Sequence, residues 1–379
     1  MQTGTPTLRI VEDLAQIPAA SWDALGRGDP FVSHAYLSAL QLAGCAVPVQ
    51  GWTPQHLTLW RGDELVGAMP LYRKMNSYGE HVFDFAWAEA YRRHGLAYYP
   101  KLVCAVPFAP VTGPRLLAHD GATRARLLAA ALDLAKQQEV STLHCLFLDE
   151  ADAASAEQAG MMIRQDVQFH WQNPGYRDFE DFLASLSRDK RKRIRQDRRR
   201  VADAGVSVRC IEGRDATAED WRFFASCYAH TRETHFSPPA LNEDFFRRIG
   251  RALPENMLLV IAEREGRPIA SALCIVANGV MYGRSWGAFE FHSGLHFEAC
   301  YYAPMDYCIA HGIRSFEGGA GGEHKLARGF LPEVTRSAHW LAHPSFARAV
   351  EDYLAREGQA VAGYVDELEA HSPYKKGEG

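Results

Sequence analysis

The chain has 379 residues, 47% of them hydrophobic and 23% charged, with 41 basic against 46 acidic side chains. That balance belongs to a folded globular protein long enough for two domains, and it excludes an intrinsically disordered chain. A net charge of -5 sets no global demand for a nucleic-acid or anionic-membrane partner, and no apolar run reaches the length a membrane-spanning helix needs.

In chain order, the stretch MQTGTPTLRIVEDLAQIP has neither a basic start nor an apolar run, so no secretion signal is expected. Within it, TLRIV (7–11) reads as a strand, and Ser21 as the N-cap of a short helix. A second helix is expected from Ser33 to Ala43, stopped by Gly44. HLTLW (56–60) and LVGAMPLY (65–72) form a hairpin around Arg61-Gly62-Asp63-Glu64. An aromatic stretch follows, with FDFAWAEAYRRHG as a helix closed by Gly95 and KLVCAVPF as a strand broken by Pro107. Then come a helix over 121–139, a buried strand over 142–148, a short helix over 151–160 and strand character over 161–173. Residues 178–204 read as a single helical arm, with an interrupted apolar stripe through Phe179, Phe182, Leu183, Leu186, Ile194 and Val201.

The second half repeats this plan: strand VSVRCI, helices over 217–236 and 242–250, and a hairpin (256–263, 268–277) around Arg264-Glu265-Gly266-Arg267. Strand VMYGRSWG (280–287), a helix over 297–311, strand IRSFEGGA, the basic segment GEHKLARGFLP, strand SAHWLAH and a last helix over 344–369 complete it. The eight cysteines are scattered without a CxxC pair, several in apolar surroundings such as LVCAV and ALCIV. They read as buried reduced thiols of a cytoplasmic protein, not as a disulfide framework or a zinc site.

The element order over 206–342 resembles the GNAT acyltransferase fold, and two such halves in one chain resemble the Fem aminoacyltransferases. The segments SYGEHVFDFAWAEAYRRHGLAYYPKL, PFAPVTGPRLL, GEHKLARGFLP and HSPYK are similar to a group of bacterial FemAB-like, GNAT-superfamily proteins labelled for peptidoglycan biosynthesis or recognition. The resemblance runs from Trp22 to Lys375. It implies an α/β (α+β) protein of tandem GNAT-like acyltransferase halves, each a mixed sheet flanked by helices. The expected boundaries are 1–175 for the N-terminal GNAT-like domain, 176–205 for a basic connecting helix and 206–379 for the C-terminal GNAT-like domain. The resemblance has departures: the usual pyrophosphate loop is not intact, and only Arg284, Gly287 and Gly294 stand where parts of it would.

Four clusters carry candidate chemistry. Glu323-His324-Lys325 follows the glycine run 318–322, where free backbone N–H groups suit an anion. His324 or Glu323 would take the proton of an attacking amine, and Lys325 and Arg328 would hold a phosphate or carboxylate. The alternative is a loop with a solvated charged tip. Asp84, Trp87 and Tyr91, at i, i+3, i+7 spacing, with His94 beside them, suit either a sugar- or peptide-binding floor or an aromatic core with a buried aspartate. Lys190, Arg191 and Arg195, within the block 188–200, read as an anion-binding site for nucleotide-linked substrate, coenzyme A or tRNA, or as a solvated helix face. In the resembled fold the strand 280–287 lines the donor cleft, which makes Arg284 and Tyr302 contacts and Trp286 a wall. His292 and His296 have an i, i+4 spacing but no third ligand, so no metal is expected. Neither GxSxG nor a P-loop occurs, which disfavours a serine hydrolase or a nucleotide triphosphatase.

The resulting expectation is an acyl- or aminoacyltransferase acting on an amine acceptor such as a peptidoglycan precursor. It would hold no tightly bound cofactor and use an acyl-CoA or aminoacyl-tRNA as donor. The alternative is a non-catalytic module recognising a peptidoglycan fragment or nucleotide-linked precursor.

Overall fold

A computed structural model describes residues 5–234 and 239–375. The chain divides into two compact units: 1–166 with 334–362, and 167–333 with 363–379. This departs from the expected linear boundaries. The last part of strand Leu331–Leu341 and the first part of helix Pro344–Ala370 belong to the first unit, and the basic helix belongs to the second.

In the first unit, Thr7–Val11, His56–Arg61, Glu64–Met69 and Leu117–Ala118 form a small antiparallel sheet. Proline at position 70 has no N–H to give to a ladder, and the expected second hairpin strand divides there. Leu71–Lys74 pairs instead with Trp52–Pro54 and Lys101–Cys104. Lys101–Cys104 runs parallel to Thr142–Leu148, with helix Gly121–Gln137 as the crossover. That helix is capped by Asp120, and it buries Leu127, Leu128 and Leu134 against Leu57, Met69 and Leu143. The first helix is Ala19–Asp23, with Pro18 at its cap position, so Ser21 lies inside the helix and is not its cap. Helix His34–Leu42 starts on Ser33 as expected.

In the second unit, Val206–Glu212, Met257–Arg264, Arg267–Ala277 and Val280–Ala288 form an antiparallel run. Ser315–Ala320 continues it in parallel, and residues 168–172 of strand Met162–Gln172 pair antiparallel beyond. Helices Ala218–Thr234 and Glu243–Ala252 pack against each other through Phe224 and Phe246. Residues 235–236 of the helix expected over 217–236 lie outside the described residues.

The helical arm expected over 178–204 is broken. Helix Phe179–Ser185 ends at Leu186, whose ψ is 158°, and Arg188–Asp203 restarts on Ser187. The break is held by the C-terminal tail. Leu186 bridges Tyr374, the Ser187 N–H donates to the Pro373 carbonyl at 2.9 Å, and the Lys375 N–H donates to the Ser185 carbonyl at 3.0 Å. Among the described residues no helix is long and apolar enough to cross a membrane.

Candidate active site

The parallel strands Val280–Ala288 and Ser315–Ala320 pair only at three positions, from Val280 with Ser315 to Tyr282 with Glu317, and then part. A cleft of about 160 Å³ opens where they separate. One side is strand Val280–Ala288, where Gly283, Arg284, Ser285 and Trp286 face it, and the other carries Phe316 and Gly318. The register between Arg267–Ala277 and Val280–Ala288 slips between Leu273 and Cys274, leaving Arg284 as the extra residue of a bulge that turns it towards the cleft. Gly318 has no room for a side chain: a Cβ there would lie 2.9 Å from the ring of Phe330 and 3.2 Å from the Phe169 carbonyl.

The third wall comes from the helix after the parting strand. It begins at Leu295, widens into a π-turn at Glu298–Tyr302 and resumes as Ala303–Ala310. Pro304 explains the widening. It cannot donate to the carbonyl of Cys300, and its ring would collide with that oxygen in a regular helix. The π-turn sends Cys300 and Tyr301 to the cleft beside His296. Tyr302 turns the other way, fully buried, and its hydroxyl donates to Asp197 Oδ2 at 2.9 Å.

The rings of His296 and Trp286 meet edge to face at 5.4 Å, and those of His296 and Tyr301 at 5.5 Å. Burial, helped by the nearby His324, Arg328 and Lys325, lowers the His296 imidazole to about 4, so it is neutral at pH 7. Burial likewise pushes the Tyr301 hydroxyl well above its ordinary value. That hydroxyl lies 3.4 Å from Nε2 of His324, whose own protonation is disfavoured by burial and then by Lys325 and Arg328.

The favoured residues therefore separate. Arg284 and Trp286 stand in the cleft wall, and His324 reaches it through Tyr301. Glu323 is exposed and accepts from the Tyr364 hydroxyl at 3.4 Å, away from that wall. Lys325 is buried, donates to the Gly319 carbonyl at 3.0 Å and is lowered by burial to about 8. It braces the glycine run from beneath, whereas the sequence reading had it holding a phosphate or carboxylate, with a solvated charged tip as the alternative. Arg328 is an internal ion-pair partner: it donates to Asp197 Oδ2 at 3.0 Å and the His324 carbonyl at 2.7 Å, and lies 3.3 Å over the Phe297 ring. Tyr302 is a structural neighbour of that pair and does not line the cleft.

The aromatic cluster of the first unit is core. Trp87 and Tyr91 pack with Tyr98, Leu341, Val350 and Leu354. Asp84 is buried, accepting from Lys101 and, at 2.5 Å, from the Tyr98 hydroxyl. Burial opposes its charge, but His144 and Lys101 hold its carboxyl well below the usual range. His94 is exposed and its Nδ1 bonds to the Ala90 carbonyl at 2.8 Å. These side chains pack as core and the ligand-binding floor is not formed, although Asp84 Oδ1 and the Tyr91 hydroxyl are buried without a hydrogen-bond partner among the described residues. His292 is 3.0 Å from Glu290, and among the described residues no group of three His, Cys, Asp or Glu side chains could hold a metal ion. Arg191 and Arg195 lie on the outer side of helix Arg188–Asp203, with Arg195 paired to Glu180, whereas the half-buried Lys190 lies on the side of Ile194 and Asp197.

Sequence reasoning grouped His296 and Tyr301 with the cleft strand but read His296 only for metal spacing and chose Tyr302 over Tyr301 as the contact, and it missed Cys300. The available signal was Pro304, a proline inside an otherwise helical run.

Each half is built on strands with a parallel pair flanked by helices, and in the second half that pair parts around a cleft; this is a tandem GNAT-like fold. Residues 13–376 match the FemAB-like family, described as peptidoglycan biosynthesis/recognition, and the chain belongs to that family. Its fold is shared with FemX, at 13% identity and a TM-score of 0.55 over 88% of this chain and 98% of that one. The C-terminal domain (DUF2156) of a putative lysylphosphatidylglycerol synthetase from Agrobacterium fabrum aligns at 9% identity and 0.53, over 91% and 97%. L-PGS from Bacillus licheniformis aligns at 10% and 0.52, over 93% and 99%. No curated protein matches the sequence.

Proposed function

We propose that the protein is an N-acyltransferase that moves an acyl or aminoacyl group from a carrier, such as acyl-CoA or aminoacyl-tRNA, to the amine of a cell-wall precursor or related metabolite. The observation that carries this reading is the cleft where the strands part, walled by a bulged arginine, a neutral histidine and a buried tyrosine hydroxyl. Its volume of about 160 Å³ suits the reacting ends of two substrates. Holding a carbonyl against a nitrogen there supplies the positioning on which such transfers depend.

The acceptor nitrogen attacks the donor carbonyl carbon. The C–N bond forms, and the bond to the carrier's sulfur or oxygen breaks. His296, a neutral imidazole, accepts the amine's proton, and Tyr301 gives its proton to the departing carrier atom. The proton held by His296 then restores the tyrosine, leaving the site unchanged. His324 acts through Tyr301 as a positioning residue, and Arg284 stabilises charge on the carbonyl oxygen.

The test presents acyl-CoAs of several chain lengths and aminoacyl-tRNAs with amine acceptors, and follows product by mass spectrometry. A donor at 100 times its Kd should also stabilise the fold by about 2.7 kcal/mol. His296→Gln and Tyr301→Phe should each lower kcat by about 10² or more with melting temperature unchanged. Normal turnover in both removes these roles. A melt shift with a peptidoglycan fragment and with no donor would make the protein a recognition module instead.

A further inference from the structure

Helix Arg188–Asp203 carries nine basic and three acidic side chains in a chain that is acidic overall. Ile194 and Val201 are its buried side. Arg198 is held by Glu298 and Asp306, and Arg195 by Glu180. Among the described residues the other seven cations have no ion-pair partner. Arg188, Arg191, Lys192, Arg195 and Arg199 fall on one face, opposite the buried residues, in a stripe about 16 Å long. Beside the helix, the loop 289–294 holds Phe291 94% exposed and Phe289 49% exposed.

The two features adjoin. A hollow is walled by Lys192, Arg193 and Arg200 from the helix and by Ser293 and Gly294 from the loop. The Gly294 Cα stands so close to the helix that a Cβ would lie 2.8 Å from the Asp197 carbonyl oxygen. A fold gains nothing internally from an almost fully exposed phenylalanine next to cations that repel one another.

We propose that this basic face and the Phe291 tip dock on an anionic phospholipid bilayer, with lipid phosphates on the cations and the ring among the acyl chains. A bilayer fits better than single-stranded RNA. Bases stack on open aromatic faces along a groove, whereas Phe289 is already stacked on His230 at 4.9 Å and Phe291 projects singly. From the loop a second hollow runs past Phe297 to Trp286 and His296, which also wall the cleft. Resting on the transferase reading, the docked orientation would hand a membrane-borne amine or acyl group to the cleft.

The experiment is sedimentation of the full chain with vesicles of phosphatidylglycerol and phosphatidylcholine, or of phosphatidylcholine alone, with a single-stranded RNA oligonucleotide as competitor. Binding is expected only to the anionic vesicles, and at least tenfold weaker at high salt. The variant R188Q/R191Q/K192Q/R199Q should weaken it more than a hundredfold, at about fivefold per cation. Phe291→Ser should weaken it about tenfold, and this single exposed change leaves the fold intact. Equal binding to neutral vesicles, no binding to either, or RNA bound in place of vesicles overturns the proposal. Because no turnover is measured, such a failure leaves the transferase reading standing, and an inactive protein that still binds vesicles leaves the docking standing.

Discussion

A buried Asp197 decides what Arg328 does. The carboxylate accepts from Arg328 and from the Tyr302 hydroxyl, and so ties the basic helix to the π-turn and to the segment after the glycine run. Losing one partner of a buried pair leaves the other charge uncompensated, so Asp197→Asn should cost about 3–5 kcal/mol in urea unfolding. The double variant Asp197→Asn, Arg328→Met should cost less than the sum of the singles; strict additivity would show that the pair is not coupled. At the cleft, the neutral state of His296 sets the pH dependence. A proton acceptor works above its pKa and fails below it, and this imidazole is lowered to about 4 by burial and nearby cations. The acidic limb of kcat/KM should therefore fall well below pH 6, and a limb at the ordinary value of 6.5 would exclude His296 as the acceptor.

At the scale of the element, the π-turn is the device that separates Tyr301 from Tyr302. Pro304→Ala removes its cause, restoring an N–H able to reach the Cys300 carbonyl. The expected outcome is equal or higher thermal stability with kcat at least tenfold lower, since a regular helix would rotate Tyr301 away from His296. Unchanged kcat would show that the turn has another origin. Elements fixed by local chemistry were legible from sequence. Ser33 caps its helix, Gly44 and Gly95 adopt the positive φ that ends theirs, and the turn at Glu265-Gly266 has the left-handed backbone its hairpin needs. What was not legible depends on distant partners. The arm breaks at Leu186–Ser187 because the tail at 373–375 satisfies its backbone, and no local signal announces a partner so far along the chain. The aromatic run 83–99 looked equally like floor or core, and Lys101, His144 and Val350 decide for core. Arg284 and Trp286, picked out on the strand, line the cleft, but the face of the next helix was misjudged by one residue.

At the scale of the whole molecule, the two halves share a crossover but not a cleft. In the first, the gap beyond Lys101–Cys104 and Thr142–Leu148 is closed by the segment 105–116. Gly113 bridges Leu148, and the fully buried Arg115 donates to the carbonyls of Leu146, Pro114 and Val111 at 3.0, 3.0 and 2.5 Å. The first half thus spends its gap on stability, and that stability is sensitive to acid. Burial lowers His56 to about 3 and His144 to about 4, and it also lowers His339, whose Nδ1 is 2.7 Å from that of His144, well below its ordinary value. An unfolded histidine takes up its proton near pH 6.5 whereas these do not, so the unfolded chain binds more protons once the pH drops below that value. The contribution is fully present above pH 6.5 and is lost as the pH falls towards 4, on the order of a few kcal/mol for each buried ring. Glu80 and Asp152, raised by burial to about 7 and about 6, work in the opposite sense over part of that window. They offset part of that loss, while in the second unit His170 and His296, both lowered to about 4, lose stability over the same range. Lys74, lowered by burial to about 7, already costs stability between pH 8 and 7, so urea midpoints measured from pH 8 to pH 4 should decline throughout. A midpoint that rises on acidification would show that the carboxyls, not the imidazoles, govern the balance.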